Sequence, residues 1–257
     1  MTGVFQTQVQ AALVTGGAKR IGAAIARALT AAGYAVAIHA RRPDAAADAL
    51  VAEIRGIGGR AAIVHADLAD PAQTKQLVEA ARAAVGPLTL LVNNASSFER
   101  DEIGALDRSL WDRQFAVNLA APVFLAEAFA AQIPEAADCA VINVTDQRVL
   151  HPAAHFVSYT LSKCALHAAT RTLAQALAPK IRVNAVAPGP TLPSPRQSAE
   201  AFARQAASVP LGHGPSPEEI AEAVVFLARA RSVTGQTLAV DGGQHLGPGH
   251  LHAAIEE

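Results

Sequence analysis

The 257-residue sequence has little from which to build a disulfide framework, a metal site or a strongly charged surface. Its two cysteines, Cys139 and Cys164, stand alone without metal-ligand spacing and read as reduced, structural residues of the kind usually found buried. The histidines are equally dispersed. His39, His65, His151, His155 and His167 form no ligand grouping, so no metal is expected, and solvated or hydrogen-bonded core roles are the reading for each. Charge of one sign is also missing: Lys plus Arg, 21, nearly balances Asp plus Glu, 22, which proposes neither nucleic acid nor an anionic membrane surface as partner. No apolar run reaches the roughly 18 to 20 residues that cross a bilayer, and the opening MTGVFQTQVQ lacks the charged-then-apolar order of a secretory signal. A cytoplasmic protein acting on a small molecule is the expectation.

What the sequence does have is alternation. Short β-type runs recur at AALVT (11–15), YAVAIHA (34–40), RAAIVHAD (60–67), LTLLVNNA (88–95), AVINVT (140–145), IRVNAVAP (181–188) and TLAVDGG (237–243). Between them lie Ala-rich segments of helical spacing at 20–32, 44–55, 71–85, 107–132, 158–178 and 217–229. Strands apolar on both faces, each followed by a helix long enough for a crossover, predict a parallel sheet covered on both sides. The expected fold is a single doubly wound α/β domain of the Rossmann type over residues 1–257, with about seven strands. One Pro-rich departure, APGPTLPSPRQ from Ala187 to Gln197, follows the sixth strand, at the strand ends where such sheets bind ligands. Residues 189–216 are therefore expected to form a loop region covering the substrate. The tail 244–257, after a Gly-Pro break, is either frayed or folded over a pocket.

The first strand runs directly into TGGAKRIG, Thr15 to Gly22, and then into a helix. Gly16, Gly17 and Gly22 permit a tight turn and close backbone approach, so that a dinucleotide pyrophosphate can rest on the free N–H groups of the helix. The strand before and the helix after supply the context that such a loop needs. An acidic residue ending the second strand would select NAD; the sequence reads HARRPD instead. Arg41 and Arg42 there, with Lys19 and Arg20 in the loop, suit a ribose 2′-phosphate and predict NADPH, and Asp44 lies too far along to restore the NAD pattern.

Tyr159 and Lys163 stand four residues apart, on one face of a predicted helix. A nearby ammonium is expected to lower the phenol pKa and make Tyr159 a proton donor and acceptor near neutral pH. Taken with TGGAKRIG, HADL, NNAS, VNLAAP, YTLSK, RVNAVAPGP and VDGG, in that order, the sequence resembles the short-chain dehydrogenase/reductase family along essentially its whole length. The resemblance implies that Tyr159 is the acid/base, that Lys163 binds the nicotinamide ribose and tunes Tyr159, and that Asn118 anchors a proton-relay water. It places Gly16, Lys19, Arg20, Ile21 and Gly22 at the phosphates, Asp67 and Leu68 beside the adenine, Asn94, Ala95 and Ser96 along the cofactor, and Pro188, Gly189 and Thr191 over the nicotinamide. It also implies a homo-oligomer, dimer or tetramer, with which the apolar circumference of segments 107–132 and 158–178 is consistent.

Most of that family carries a serine thirteen residues before the tyrosine; this sequence carries Asp146. Thr145 could offer a hydroxyl, although strand alternation points it elsewhere. A carboxylate suits a ring with N–H groups better than a ketone oxygen. In this respect the sequence resembles the pteridine and dihydromonapterin (dihydrofolate) reductase branch, in which Arg20, Ser96, Phe98, Asp146 and Tyr159 would meet the substrate and Phe98 would stack on a pterin. Gln147 and Arg148 are plausible pocket residues, and His151 or His155 could touch substrate. The leading expectation is an NADPH-dependent reduction of a dihydropterin or dihydrofolate with Asp146 and Tyr159 relaying a proton. A short-chain carbonyl reductase for ketones, aldehydes or quinones, or a non-catalytic NADP-binding redox sensor, are the alternatives.

Overall fold

The computed structural model describes residues 10–133, 138–194 and 196–247; most of the expected tail, 248–257, lies outside the described residues. Seven parallel strands form one sheet: β1 (Ala11–Val14), β2 (Ala35–Ala40), β3 (Ala61–His65), β4 (Leu88–Asn93), β5 (Cys139–Val144), β6 (Ile181–Pro188) and β7 (Thr237–Val240). Their order is β3-β2-β1-β4-β5-β6-β7. β1, β2, β5 and β6 are buried along their whole length, because helices cover both faces and leave no side for polar alternation. On one face α1 (Arg20–Ala31), α2 (Ala45–Gly56) and α8 (Pro217–Arg229) pack on Val14, Ile38, Val92 and Ile142. On the other, α3 (Pro71–Val85), α5 (Ala121–Ala130) and α6 (Val157–Leu177) pack on Leu13, Leu91, Val141 and Val183. Chain order reverses between β1 and β4, which opens a crevice at the carboxyl ends of those strands.

Two expected elements differ in detail. Segment 107–132 is not one regular helix: α4 (Arg108–Phe115) passes into a π turn, Ala116–Ala120, before α5. The π turn carries Asn118 inward, and such single-turn widenings occur mostly at functional sites. The region 189–216 is not loop throughout either, since Ser198 caps a short helix α7, Ala199–Ala207, by accepting from the Ala201 N–H.

The start of α6, which carries Tyr159 and Lys163, is capped from a distance. Phe156 precedes it at a left-handed φ of 60° and supplies no side-chain cap. The cap comes from Asp101, 57 residues away and 5% exposed. Its carboxylate accepts from the Ser158 N–H at 3.1 and 3.2 Å and from the Ser158 hydroxyl at 2.5 Å, while its carbonyl accepts from the Phe156 N–H at 2.9 Å. Gln114 on α4 donates to the same hydroxyl at 2.7 Å. Free helix N–H groups need such acceptors, and a negative charge there also complements the helix dipole.

Asp101→Ala should therefore lower stability by about 2 kcal/mol and reduce turnover. Asp101→Asn, which can still cap, should recover most of both. Urea unfolding alongside kcat measures the two effects, and equal losses in both variants would refute the capping role.

Candidate active site

A Gly-rich cradle occupies the crevice between β1 and β4. Gly16 sits at φ +60°, and a Cβ there would lie 2.9 Å from the Ala95 Cα. A Cβ on Gly22 would meet the Gly16 carbonyl oxygen at 2.1 Å and Asn94 Nδ2 at 2.6 Å; only glycine fits. The first turn of α1 has neither a side-chain cap nor an acidic residue, so its N–H groups suit the phosphates of a dinucleotide. Asn94 ties the cradle by donating to the carbonyls of Thr15 and Gly16 at 2.9 and 3.0 Å. His39 supports it from β2: Nδ1 accepts from the Gly16 N–H at 3.0 Å and Nε2 bonds to the Ala66 carbonyl at 2.9 Å. Burial pushes this imidazole below its usual pKa, which keeps the neutral tautomer that can accept.

The expected cofactor residues gather around two adjoining cavities, with one exception. Gly16, Lys19, Arg20, Ile21, Gly22, Arg41, Asp67, Leu68, Asn94, Ala95 and Ser96 line the first, and Lys163, Pro188, Gly189 and Thr191 line the second, while Tyr159 borders both. Arg42 lines neither. Lys19 is paired with Asp44 at 2.7 Å, so the acid judged too remote to select the cofactor instead engages one of the cations assigned to it. Gly189 is enforced by the turn that follows β7, since a Cβ there would approach the Asp241 Cα to 2.5 Å.

At the inner end, Tyr159 is 6% exposed and donates its hydroxyl proton to Asp146 Oδ2 at 2.8 Å. Burial, the charge of Asp146 and this hydrogen bond push the phenol well above its ordinary pKa. This reverses the expected lowering. Lys163 does not reach the hydroxyl with enough field to win: its Nζ donates to the Val144 carbonyl at 2.8 Å, and its own burial lowers it to about 8. Tyr159 is thus held as the protonated phenol. Asn118 is fully buried and its side chain is saturated: Oδ1 accepts from the Ser97 N–H and the Ser96 hydroxyl, and Nδ2 donates to the Ser97 carbonyl and to Ser162 Oγ. Its side chain thereby fixes the Ser96–Ser97 loop against α6.

On the substrate side, Phe98 stacks on Phe156 at 4.6 Å and 7° and meets Tyr159 edge-on at 4.6 Å. Asp146 Oδ1 accepts from the Arg148 N–H at 2.9 Å, opening a short 3-10 turn, Gln147–Val149, so Gln147 and Arg148 both line the cavity. The Gln147 Oε1 is buried there without a donor. Thr145 cannot replace the missing serine, because its hydroxyl is buried and donates to the Val186 carbonyl at 3.0 Å. His151 and His155 do not line the cavity, and His155 stands 3.6 Å from Glu102 on the surface; His167 pairs with Thr237. Arg20, itself at φ 54°, donates to the carbonyls of Leu192 and Pro193, while Arg196 donates to Glu99 and to the Phe98 carbonyl. The Pro-rich segment is thereby tied to α1 through Arg20 and to Phe98 and Glu99 through its own Arg196. Among the described residues no cluster of side chains could hold a metal ion, and no helix is long and apolar enough to cross a membrane.

Sequence reasoning missed Asp101, Phe156, Ser162, Arg196 and the supporting role of His39. Only Phe156 carried a local signal, as the aromatic just before the Tyr-Lys turn; the others act across 23 to 98 positions of sequence.

Comparison with known proteins agrees with this geometry. The sequence model described as enoyl-(acyl carrier protein) reductase matches residues 16–245. The solved structure of FolM alternative dihydrofolate reductase 1 from Brucella canis, complexed with NADP, is 52% identical, with a TM-score of 0.90, covering 93% of this chain and 94% of that one. An uncharacterised oxidoreductase of Methylorubrum extorquens is 38% identical over 240 residues, 90% of this chain and 96% of that protein. Pteridine reductase 1 of Leishmania tarentolae is 35% identical over 280 residues, 91% of this chain and 96% of that protein. With the glycine cradle, the buried Tyr159 and Lys163 and a match spanning nearly every described element, the chain belongs to the short-chain dehydrogenase/reductase family.

Proposed function

We propose that this protein is an NADPH-dependent reductase that adds hydride and a proton across a carbon–nitrogen double bond of a dihydropterin or dihydrofolate. The observation that carries this reading is the hydrogen bond from the Tyr159 hydroxyl to Asp146 Oδ2 at 2.8 Å. A carboxylate beside the proton donor repels a ketone oxygen, whereas its remaining lone pairs accept the N–H groups of an amidine-like ring edge. The relatives named for dihydrofolate and pteridine reduction support the same choice. Thr145 offers no hydroxyl to a carbonyl substrate, which weighs against the carbonyl-reductase alternative.

NADPH, when bound, supplies the hydride. The cradle of Gly16 and Gly22 and the amino end of α1 fit its pyrophosphate, and Arg41, exposed at the end of β2, suits the 2′-phosphate. Lys163, buried beside the nicotinamide end of the cleft, suits the ribose hydroxyls. Tyr159, held protonated, and Asp146 form the relay that brings a proton to the ring nitrogen, and solvent then restores the phenol. Phe98 borders both cavities and is suited to packing a flat ring against the nicotinamide. Residues 189–216 cover the substrate. Phe124 on α5 and Leu161 on α6, exposed by 58% and 45%, support assembly into a homo-oligomer, and a cytoplasmic setting suits a protein of this chemistry.

NADPH consumption with dihydrobiopterin, dihydromonapterin, dihydrofolate and a panel of ketones and quinones tests the reading. A dihydropterin should be reduced, and Asp146→Ser should slow that reaction by about 100-fold or more while NADPH affinity stays within about twofold. Reduction of carbonyls alone, kept or improved by the serine, would overturn it. Lys163 is a cation below pH about 8 and neutral above it, so kcat/KM should fall as pH rises through about 8. Tyr159, displaced upward, should add no limb of its own in the neutral range; a pH profile from 6 to 10 checks both. Arg41→Ala should lower the preference for NADPH over NADH, measured as the ratio of kcat/KM, by roughly tenfold.

A further inference from the structure

The cavity at the carboxyl ends of β5 and β6 has a volume of about 460 Å³, which the nicotinamide end of the cofactor and the substrate would share. Its lining carries five cationic side chains, Arg20, Arg100, Arg148, Lys163 and Arg196, against the single carboxylate of Asp146. Three of the five donate hydrogen bonds to other groups, and a fourth, Arg100, is 58% exposed beside a surface carboxylate. Arg20 donates to the Leu192 and Pro193 carbonyls, Arg196 to Glu99 and the Phe98 carbonyl, and Lys163 to the Val144 carbonyl, while Arg100 lies 3.6 Å from Glu102.

Arg148 differs. Among the described residues its guanidinium donates no hydrogen bond, and its approach to Asp146 Oδ2, 4.0 Å, is too long for one. Yet the side chain is only 19% exposed. The guanidinium lies over the rings of Phe156, Phe98 and Tyr159, at 5.0, 5.6 and 5.8 Å from their centroids. Stacking fixes the planar fork in place without using its N–H donors. A largely buried cation whose donors no protein group takes is poised for an acceptor from the cavity, and the acceptor matched to that fork is a carboxylate. Arg148 follows Asp146 by two residues, in the turn that Asp146 itself caps, so one rigid turn presents an anion and a cation to the same cavity.

We propose that Arg148 anchors a carboxylate borne by the substrate outside the ring that is reduced. The preferred substrate is then an anionic, folate-type dihydropterin, not one with an uncharged side chain; this rests on the dihydropterin reading above. Asp146 takes the N–H edge of the ring, and Arg148 takes the acidic group attached to it. The other role open to Arg148, steadying the charge of Asp146, would affect all dihydropterins equally.

The test is steady-state reduction of dihydrofolate, which carries carboxylates, and of dihydrobiopterin, which carries none, by wild type, Arg148→Gln and Arg148→Lys. The ratio of kcat/KM for dihydrofolate to that for dihydrobiopterin should fall about 10- to 100-fold in Arg148→Gln, mainly through KM. Arg148→Lys, which keeps the charge but loses the fork, should show a smaller fall of about 3- to 10-fold, and it decides the matter if the glutamine variant does not fold. An unchanged ratio overturns the proposal. If wild type reduces neither compound, the dihydropterin reading fails, and the anchor is judged separately by calorimetric titration of p-aminobenzoylglutamate into the NADPH-loaded protein. Binding that Arg148→Gln loses supports the anchor; equal binding, or none in either protein, refutes it.

Discussion

Tyr159, 6% exposed, donates a hydrogen bond to the carboxylate of Asp146, whose side chain is 21% exposed. Two negative charges at that separation would repel strongly in a poorly screened site, so the phenol stays protonated. The same burial works on Lys163 in the opposite sense, bringing the ammonium down to about 8. One substitution of aspartate for the family's usual serine therefore changes the electrostatic character of the whole constellation. The tyrosine keeps its proton, and the pocket carries a carboxylate where the serine would stand.

Holding those groups at hydrogen-bonding distance requires a stiff frame, and the frame comes from distant parts of the chain. Asp101 caps α6, Gln114 braces Ser158, and the π turn drives Asn118 between the Ser96–Ser97 loop and Ser162. The Val144 carbonyl at the end of β5 receives Lys163. Each bond joins the helix that carries Tyr159 to a different element or loop, so the helix can neither slide nor rotate without breaking several buried polar contacts. Phe156, held at a left-handed φ, stores local strain, and its ring stacks on Phe98 where the substrate space begins.

The mouth of the site is organised by arginines. Arg20 donates to the Leu192 and Pro193 carbonyls of the Pro-rich strap, and Arg196, within the strap, donates to Glu99 and the Phe98 carbonyl. Arg20 thus ties the first turn of α1 to the strap.

The sequence by itself determined the alternating parallel sheet, because two-sided apolar strands and helical crossovers are written in local periodicity. It also determined the phosphate cradle, where a Cβ on Gly16 or Gly22 would strike backbone or Asn94, and the pairing of Tyr159 with Lys163, fixed by the i to i+4 geometry of a helix. The direction of the tyrosine's titration is not written there, because it depends on burial and on Asp146, with the lysine's ammonium turned to Val144. Likewise the widened turn at Asn118, the cap from Asp101, the loss of Lys19 to Asp44 and the open donors of Arg148 were decided only by tertiary structure. Periodicity reports which face of an element is apolar; it carries no information about which residue, tens of positions away, arrives opposite a given polar atom.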